Sequence, residues 1–383
     1  MTTLLPRLRD LWRALAIGAL IVAIVGGGSL VLSAAAKPRD PPDYLFNDSH
    51  FHLTNYVQKG TDIHRYLEIM GDKVGRSTLF GIPLQQQWSY ANSGNFAPTY
   101  YLQSDAPLYY YSFTDAYIAR VYQALPKEQQ ARLDPMITGF NPTDMYGVDH
   151  IRRVLELFPG VFSGIGEFSI HKEFVSSKVA GETASLTNPA LDRILDFAGE
   201  AGLAVIFHND IDMPFAKTGT EPIYLTQMKD VLRRHPNSTI IWAHLGLGRI
   251  VHPVQGQATE DTAERSSAYR EIVEQLVSDP TLGHVYYDIS WDEVAKYAIA
   301  TPESVRRTVE VLNAHPDRFL FGTDNVAPAD QSTQLRVYHL WDPVWAQLTP
   351  EASLKVRKRN YERIFDAARL KVRAWEKANV KPL

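Results

Sequence analysis

From Tyr44 onward the chain alternates short apolar runs with amphipathic stretches of helical period, and this alternation limits its possible folds more than any other feature. The apolar runs cover residues 44–53, 77–82, 135–140, 161–167, 203–208, 239–244, 284–289 and 319–323. Helical stretches lie between them, among them residues 149–158, 189–201, 223–234, 268–278 and 302–314. A helix that returns the chain to the start of the next strand makes neighbouring strands parallel. Eight such units predict an α/β fold of the (β/α)8 TIM-barrel type rather than a doubly wound sheet.

A repeated punctuation supports the count. Phe158-Pro159, His235-Pro236 and His315-Pro316 each close a helical stretch, because proline cannot continue a helix and restricts the residue before it. Nine residues after the first member of each pair stand Glu167, His244 and Asp324, so three units share one helix-stop, turn and strand length. Gly202 is the comparable stop before the strand ending at His208. Asn188-Pro189 and Thr301-Pro302 read as helix starts, a capping side chain followed by proline in the first turn.

The first 36 residues differ from the rest. Residues 14–36 carry no charge and follow Arg7, Arg9 and Arg13, which against Asp10 leave this segment at +2 and the remainder at −6, for a total of −4. A run of that length behind positive charge predicts an export segment, either a membrane anchor or a signal peptide cleaved near Ser33-Ala34-Ala35-Ala36. The expected location is periplasmic, or on the outer face of the cell membrane. Residues 37–43 read as a proline-rich linker and 44–383 as the barrel. An acidic body disfavours nucleic acid as a partner. The absence of cysteine excludes disulfides, thiolate catalysis and thiolate metal sites. Residues 84–112, rich in Trp, Tyr and Phe, form the longest irregular stretch; following a strand's carboxyl end, it would lie over the site as a lid, or pack against the barrel or a neighbouring subunit.

Metal-binding side chains end several of the strands. In Asp48-Ser49-His50-Phe51-His52, strand alternation projects His50 and His52 together and Phe51 away. Glu167, His208, His244 and Asp324 follow at the ends of strands four, five, six and eight. In a parallel barrel these six residues converge at the carboxyl rim, where barrel enzymes carry their active sites. Imidazole and carboxylate suit zinc, with manganese or iron as alternatives, and one or two ions are expected. Lys172, Asn209, Asp210, Arg249 and Trp291, also after strand ends, are candidate substrate contacts.

With these motifs the chain resembles the amidohydrolase superfamily, in particular its amidohydrolase-related branch (amidohydrolase 2), over residues 44–370. The His50-Phe51-His52 segment is similar to that family's opening signature and Phe321-Gly322-Thr323-Asp324 to its strand-eight signature. Arg359-Asn360-Tyr361-Glu362-Arg363-Ile364-Phe365 resembles the branch's asparagine-containing terminal helix. The resemblance implies metal ligation by His50, His52 and His208. Asp324 would be both ligand and proton shuttle, and His244 a second-site ligand or an acid/base residue. Gly164-Ile165-Gly166-Glu167 resembles the subgroups that bridge two metals with a glutamate, which favours a binuclear or adaptable site.

The expected function is metal-dependent hydrolysis of an amide, lactone or related ester in a small molecule by metal-activated water. Nonoxidative decarboxylation, a TatD-like nuclease and a noncatalytic membrane-tethered metal-binding barrel are the alternatives. A homo-oligomer is compatible with all of them.

Overall fold

The computed structural model describes residues 43–54, 59–81, 95, 111–172, 184–211, 222–247 and 271–381. Residues 1–42, which hold the expected export segment and all of the expected linker but Asp43, lie outside that set. No helix among the described residues is long and apolar enough to cross a membrane. Most of the aromatic stretch 84–112 also lies outside them, Tyr111–Phe113 forming a single described helical turn.

Eight parallel strands follow one another in sequence order. They are β1 (Phe46–Asp48), β2 (Val74–Leu79), β3 (Leu133–Ile137), β4 (Gly164–Ser169), β5 (Ala204–His208), β6 (Thr239–Trp242), β7 (Val285–Asp288) and β8 (Phe319–Leu320). The sheet closes where the last strand meets the first. Ser49 N donates to Phe321 O at 3.1 Å, Asp324 N donates to His50 O at 2.8 Å, and Asn325–Val326 pairs in parallel with Phe51–His52. Every expected strand is present, and helices cover Pro189–Ala201, Ile223–Arg234 and Pro302–Ala314 as the periodicity predicts.

The shared helix stop is visible in the backbone. The helices ending before Phe158, His235 and His315 are terminated by residues with φ between −118° and −128° and ψ between 51° and 57°. Each precedes a proline, whose ring excludes a further helical turn. Gly202 ends its helix in the left-handed region instead, at φ 77°. Asn188 and Thr301 cap their helices through side-chain oxygens, accepting from Ala190 N and Ser304 N.

Strand alternation divides the apolar residues into two layers. Val205 and Phe207 of β5 join the large layer between sheet and outer helices, with Phe51, Ile240 and Trp242. Ala204 and Ile206 instead face the barrel interior with Phe80, Met136, Ile241 and Leu320. Tyr361, Ile364, Phe365 and Ala368 of the last helix, Asn360–Asn379, plug that interior. The interior row of β5 continues to His208, so packing below fixes the direction of the histidine above.

Three strands break or stop just before rim residues that the expected runs included or adjoined. The first breaks after Asp48 and resumes at Phe51. β6 stops at Trp242, where His244 and Leu245 adopt φ 55° and 56°. β8 stops at Leu320, and Phe321 N bonds to Val356 O rather than to a strand.

Candidate metal centre

Six side chains named from the sequence meet at the rim. His50, His52, Glu167, His208 and His244 are buried, and Asp324 keeps 12% of its side chain exposed. His208 ends a regular strand and His52 the short strand Phe51–His52, while His50 lies in the break between the two pieces of the first strand. His244 arrives otherwise: continued alternation from Ile241 would turn it outward, and the left-handed turn at 244–245 swings it back. Asp324 also has a left-handed backbone, at φ 56°, and Trp291 sits at φ 78°. Such backbones in non-glycine residues cost energy, and the surrounding contacts hold them.

The ring orientations follow from bonds on the side away from the cluster. His50 Nδ1 lies 2.6 Å from Asp288 Oδ2, and His52 Nδ1 lies 2.6 Å from Gly81 O. Carboxylate and carbonyl only accept, so both Nδ1 atoms carry hydrogen and both Nε2 atoms point inward. His244 Nδ1 lies 2.8 Å from Ser290 Oγ, which donates to Asp288 Oδ2 at 2.9 Å. The serine has one hydrogen and gives it to Asp288, so His244 also donates from Nδ1 and presents a bare Nε2. His208 differs, with Nδ1 3.0 Å from Glu167 Oε1 and Nε2 2.6 Å from Asp210 Oδ1. Both its nitrogens already face carboxylates.

Around the inward atoms, His50 Nε2 is 3.5 Å from Glu167 Oε2 and 3.3 Å from Asp324 Oδ1, while His52 Nε2 is 3.6 Å and 2.9 Å from the same two oxygens. Ligand atoms about 2.1 Å from a tetrahedral ion lie about 3.4 Å from one another, so this quartet fits a divalent ion. Buried His50 Nε2, Glu167 Oε2 and His244 Nε2 have no hydrogen-bond partner, a costly state that a cation would relieve. A second group consists of Glu167, His208 and His244, with His244 Nε2 3.3 Å from Glu167 Oε1. Glu167 thus turns one oxygen toward each group. His208 stands in the second group, and Glu167 is common to both.

Burial opposes a charged His50, yet Glu167, Asp288 and Asp324 outweigh it and raise its pKa well above the usual imidazole value. Burial would also raise Glu167, but the Lys172 ammonium and the nearby imidazoles hold it well below the carboxylate range. Asp324 is likewise held low against burial, by His244, His50 and His52. Burial pushes His244 down, so it is neutral at pH 7.

The expected substrate contacts divide. The Trp291 ring lies 5.0 Å from the His244 ring and 6.4 Å from that of His208. Asn209 is fully buried; its Nδ2 donates to Asp210 O and its backbone oxygen accepts from Trp242 Nε1. Asp210 anchors His208. Lys172 is buried with Nζ 4.0 Å from Glu167 Oε1. Arg249 lies outside the described residues.

Two residues to which the sequence reading gave no role complete the frame. Asp288, the last residue of β7, orients His50 directly and His244 through Ser290. Its signal was present, since it closes an apolar run as the ligands do. Asp48 joins the two ends of the barrel: it accepts from His50 N, from Thr323 N and Oγ1, and from Gln334 Nε2.

The family model described as Amidohydrolase (Amidohydro_2) matches residues 48–367. No curated protein matches the chain significantly. Among solved structures, an amidohydrolase from Burkholderia multivorans with bound HEPES is similar over 84% of this chain and 99% of its own, at 12% identity and a TM-score of 0.50. A probable 2-pyrone-4,6-dicarboxylic acid hydrolase from Acinetobacter baumannii aligns over 84% and 99%, at 11% identity and a TM-score of 0.46. For 5-carboxyvanillate decarboxylase from Sphingomonas paucimobilis the figures are 79% and 82%, 15% and 0.41. At these identities the likeness is one of fold. The family match, by contrast, begins at Asp48 and runs past Asp324 into the helix that plugs the barrel, and over that length the chain belongs to the amidohydrolase family.

Proposed function

We propose that the chain is a metal-dependent hydrolase that cleaves an amide, lactone or related ester in a small molecule. One observation carries the reading: imidazole nitrogens oriented from behind converge with carboxylate oxygens on a buried point, and several of these atoms lack any protein hydrogen-bond partner. Nitrogen and oxygen donors without sulfur favour zinc, with manganese or iron also suited. A divalent ion held there supplies Lewis acidity and lowers the pKa of a water beside it.

The proton work falls to Asp324 and His244. Asp324 is the one partly accessible member of the quartet, its Oδ1 facing His52 and its Oδ2 3.9 Å from His244 Nε2. Held ionised, it accepts a proton from the attacking water and returns it to the leaving group. His244, neutral with a bare Nε2, either ligates or accepts a proton at that atom. Trp291 forms an apolar wall beside it. The arginine-led apolar run at residues 14–36 supports placing this activity outside the cytoplasm.

The test is Asp324→Asn in the full chain, assayed for metal and for turnover on a panel of lactones, amides and esters. Metal content should stay close to wild type while kcat falls by about 10²-fold or more. Full activity in that variant would sink the proton-shuttle assignment. Release of carbon dioxide from aromatic acids by the wild type would move the reaction to decarboxylation, and metal without any turnover would favour a binding module.

A further inference from the structure

We propose that the Lys172 ammonium acts as a built-in cation on the Oε1 side of Glu167, so that the centre takes one divalent ion, at His50, His52, Glu167 Oε2 and Asp324, rather than two. The inference rests on the metal-centre reading above and fixes its stoichiometry.

The two oxygens of Glu167 are in different states. Oε2 has no hydrogen-bond partner and faces His50 Nε2, also without one, at 3.5 Å and His52 Nε2 at 3.6 Å. Oε1 accepts from His208 Nδ1 at 3.0 Å and has Lys172 Nζ at 4.0 Å. Lys172 is only 7% exposed, so solvent screens its charge little. A second ion at Glu167 Oε1, His208 and His244 would sit beside that ammonium, and two cations repel strongly where water is excluded.

His208 is engaged at both nitrogens. Its far nitrogen is tied to Asp210 Oδ1 at 2.6 Å, so ligation could use only Nδ1, the atom now bonded to Glu167. A second ion would have to break that bond and sit next to Lys172 as well. In the first group His50 Nε2 has no hydrogen-bond partner, while His52 Nε2 bonds to Asp324 Oδ1 at 2.9 Å.

The experiment counts ions and reads their coupling in the full chain. Metal-stripped protein is loaded with Mn²⁺ in excess, desalted, analysed for bound metal and examined by electron paramagnetic resonance. Wild type should retain close to one ion per chain with the spectrum of an isolated Mn²⁺. Lys172→Met removes the charge and keeps the chain length; it should retain close to two ions with an exchange-coupled spectrum. Lys172→Arg should stay at one. Two coupled ions in the wild type overturn the inference and leave the metal centre standing, whereas no bound ion in the wild type overturns both. A folded Lys172→Met that still holds one ion also overturns it. Circular dichroism establishes folding, and Lys172→Gln replaces the methionine variant if that fails to fold.

Discussion

His50 shows how far a rim residue depends on atoms that never face the pocket. Its outward Nδ1 is held at 2.6 Å by Asp288, which is 238 residues away in the chain. The strand pattern reveals which way His50 points but not which of its nitrogens is free, because that is decided by a partner from a distant strand. Asp288→Asn keeps an oxygen for the Nδ1 hydrogen and removes the charge that strengthens the ring as a donor. Metal affinity should fall by about 10- to 100-fold, read by competition with a chromogenic chelator, with the fold unchanged. An affinity equal to wild type would show that Asp288 does not position the ring. Lys172 shows the opposite limit of legibility: its place in the sequence after β4 was visible, but only packing reveals it buried against Glu167.

Elements were legible where their ends carry local chemistry. Three helices stop at a residue before proline and two begin at a capping side chain, and both signals act within a turn of their own position. Strand ends were less legible, because β6 and β8 end where tertiary contacts pull the chain away at His244 and Phe321. The turn Pro280–Leu282, which delivers β7 and so Asp288, is capped by Asp279. The Thr281 hydroxyl and amide, with Arg233, hold this carboxyl at about 2, against an ordinary 3.8. A carboxyl that binds protons more weakly when folded adds stability that is fully present above the unfolded pKa and is lost as pH falls through the folded one. Asp279→Ala should therefore cost about 1 kcal/mol at pH 7 and flatten the loss between pH 4 and 2. Urea midpoints at pH 7, 4 and 2.5 check both, and parallel curves for the two proteins would refute the assignment. The terminal helix holds β8 differently, with Asn360 Nδ2 donating to Pro316 O at 2.7 Å and Phe319 O at 2.8 Å. Asn360→Ala leaves two carbonyls without that donor and should cost about 2–3 kcal/mol, read from the urea midpoint at constant slope.

At the scale of the barrel, the metal quartet lies across the seam where the sheet closes. His50 and His52 follow β1, Asp324 follows β8, and Glu167 reaches them from β4 on the far side. The seam has few backbone bonds of its own, and Asp48 adds a side-chain tie through Thr323 and Gln334. An ion at this point therefore joins the first and last strands as well as serving chemistry. A ligand that binds only the folded state stabilises it by about 2.7 kcal/mol at one hundred times its Kd, so Tm should rise with free metal and fall on chelation by several degrees. The loss should be local first. Hydrogen exchange should accelerate on chelation in residues 46–54 and 319–326, while the helix Asn360–Asn379, which packs from the opposite end, keeps its protection. His50→Ala should lower Tm and abolish its dependence on metal. A Tm indifferent to chelation in the wild type would mean that the seam is held by the protein alone, and that the convergence of strands one, four and eight on a cation contributes to chemistry without contributing to closure.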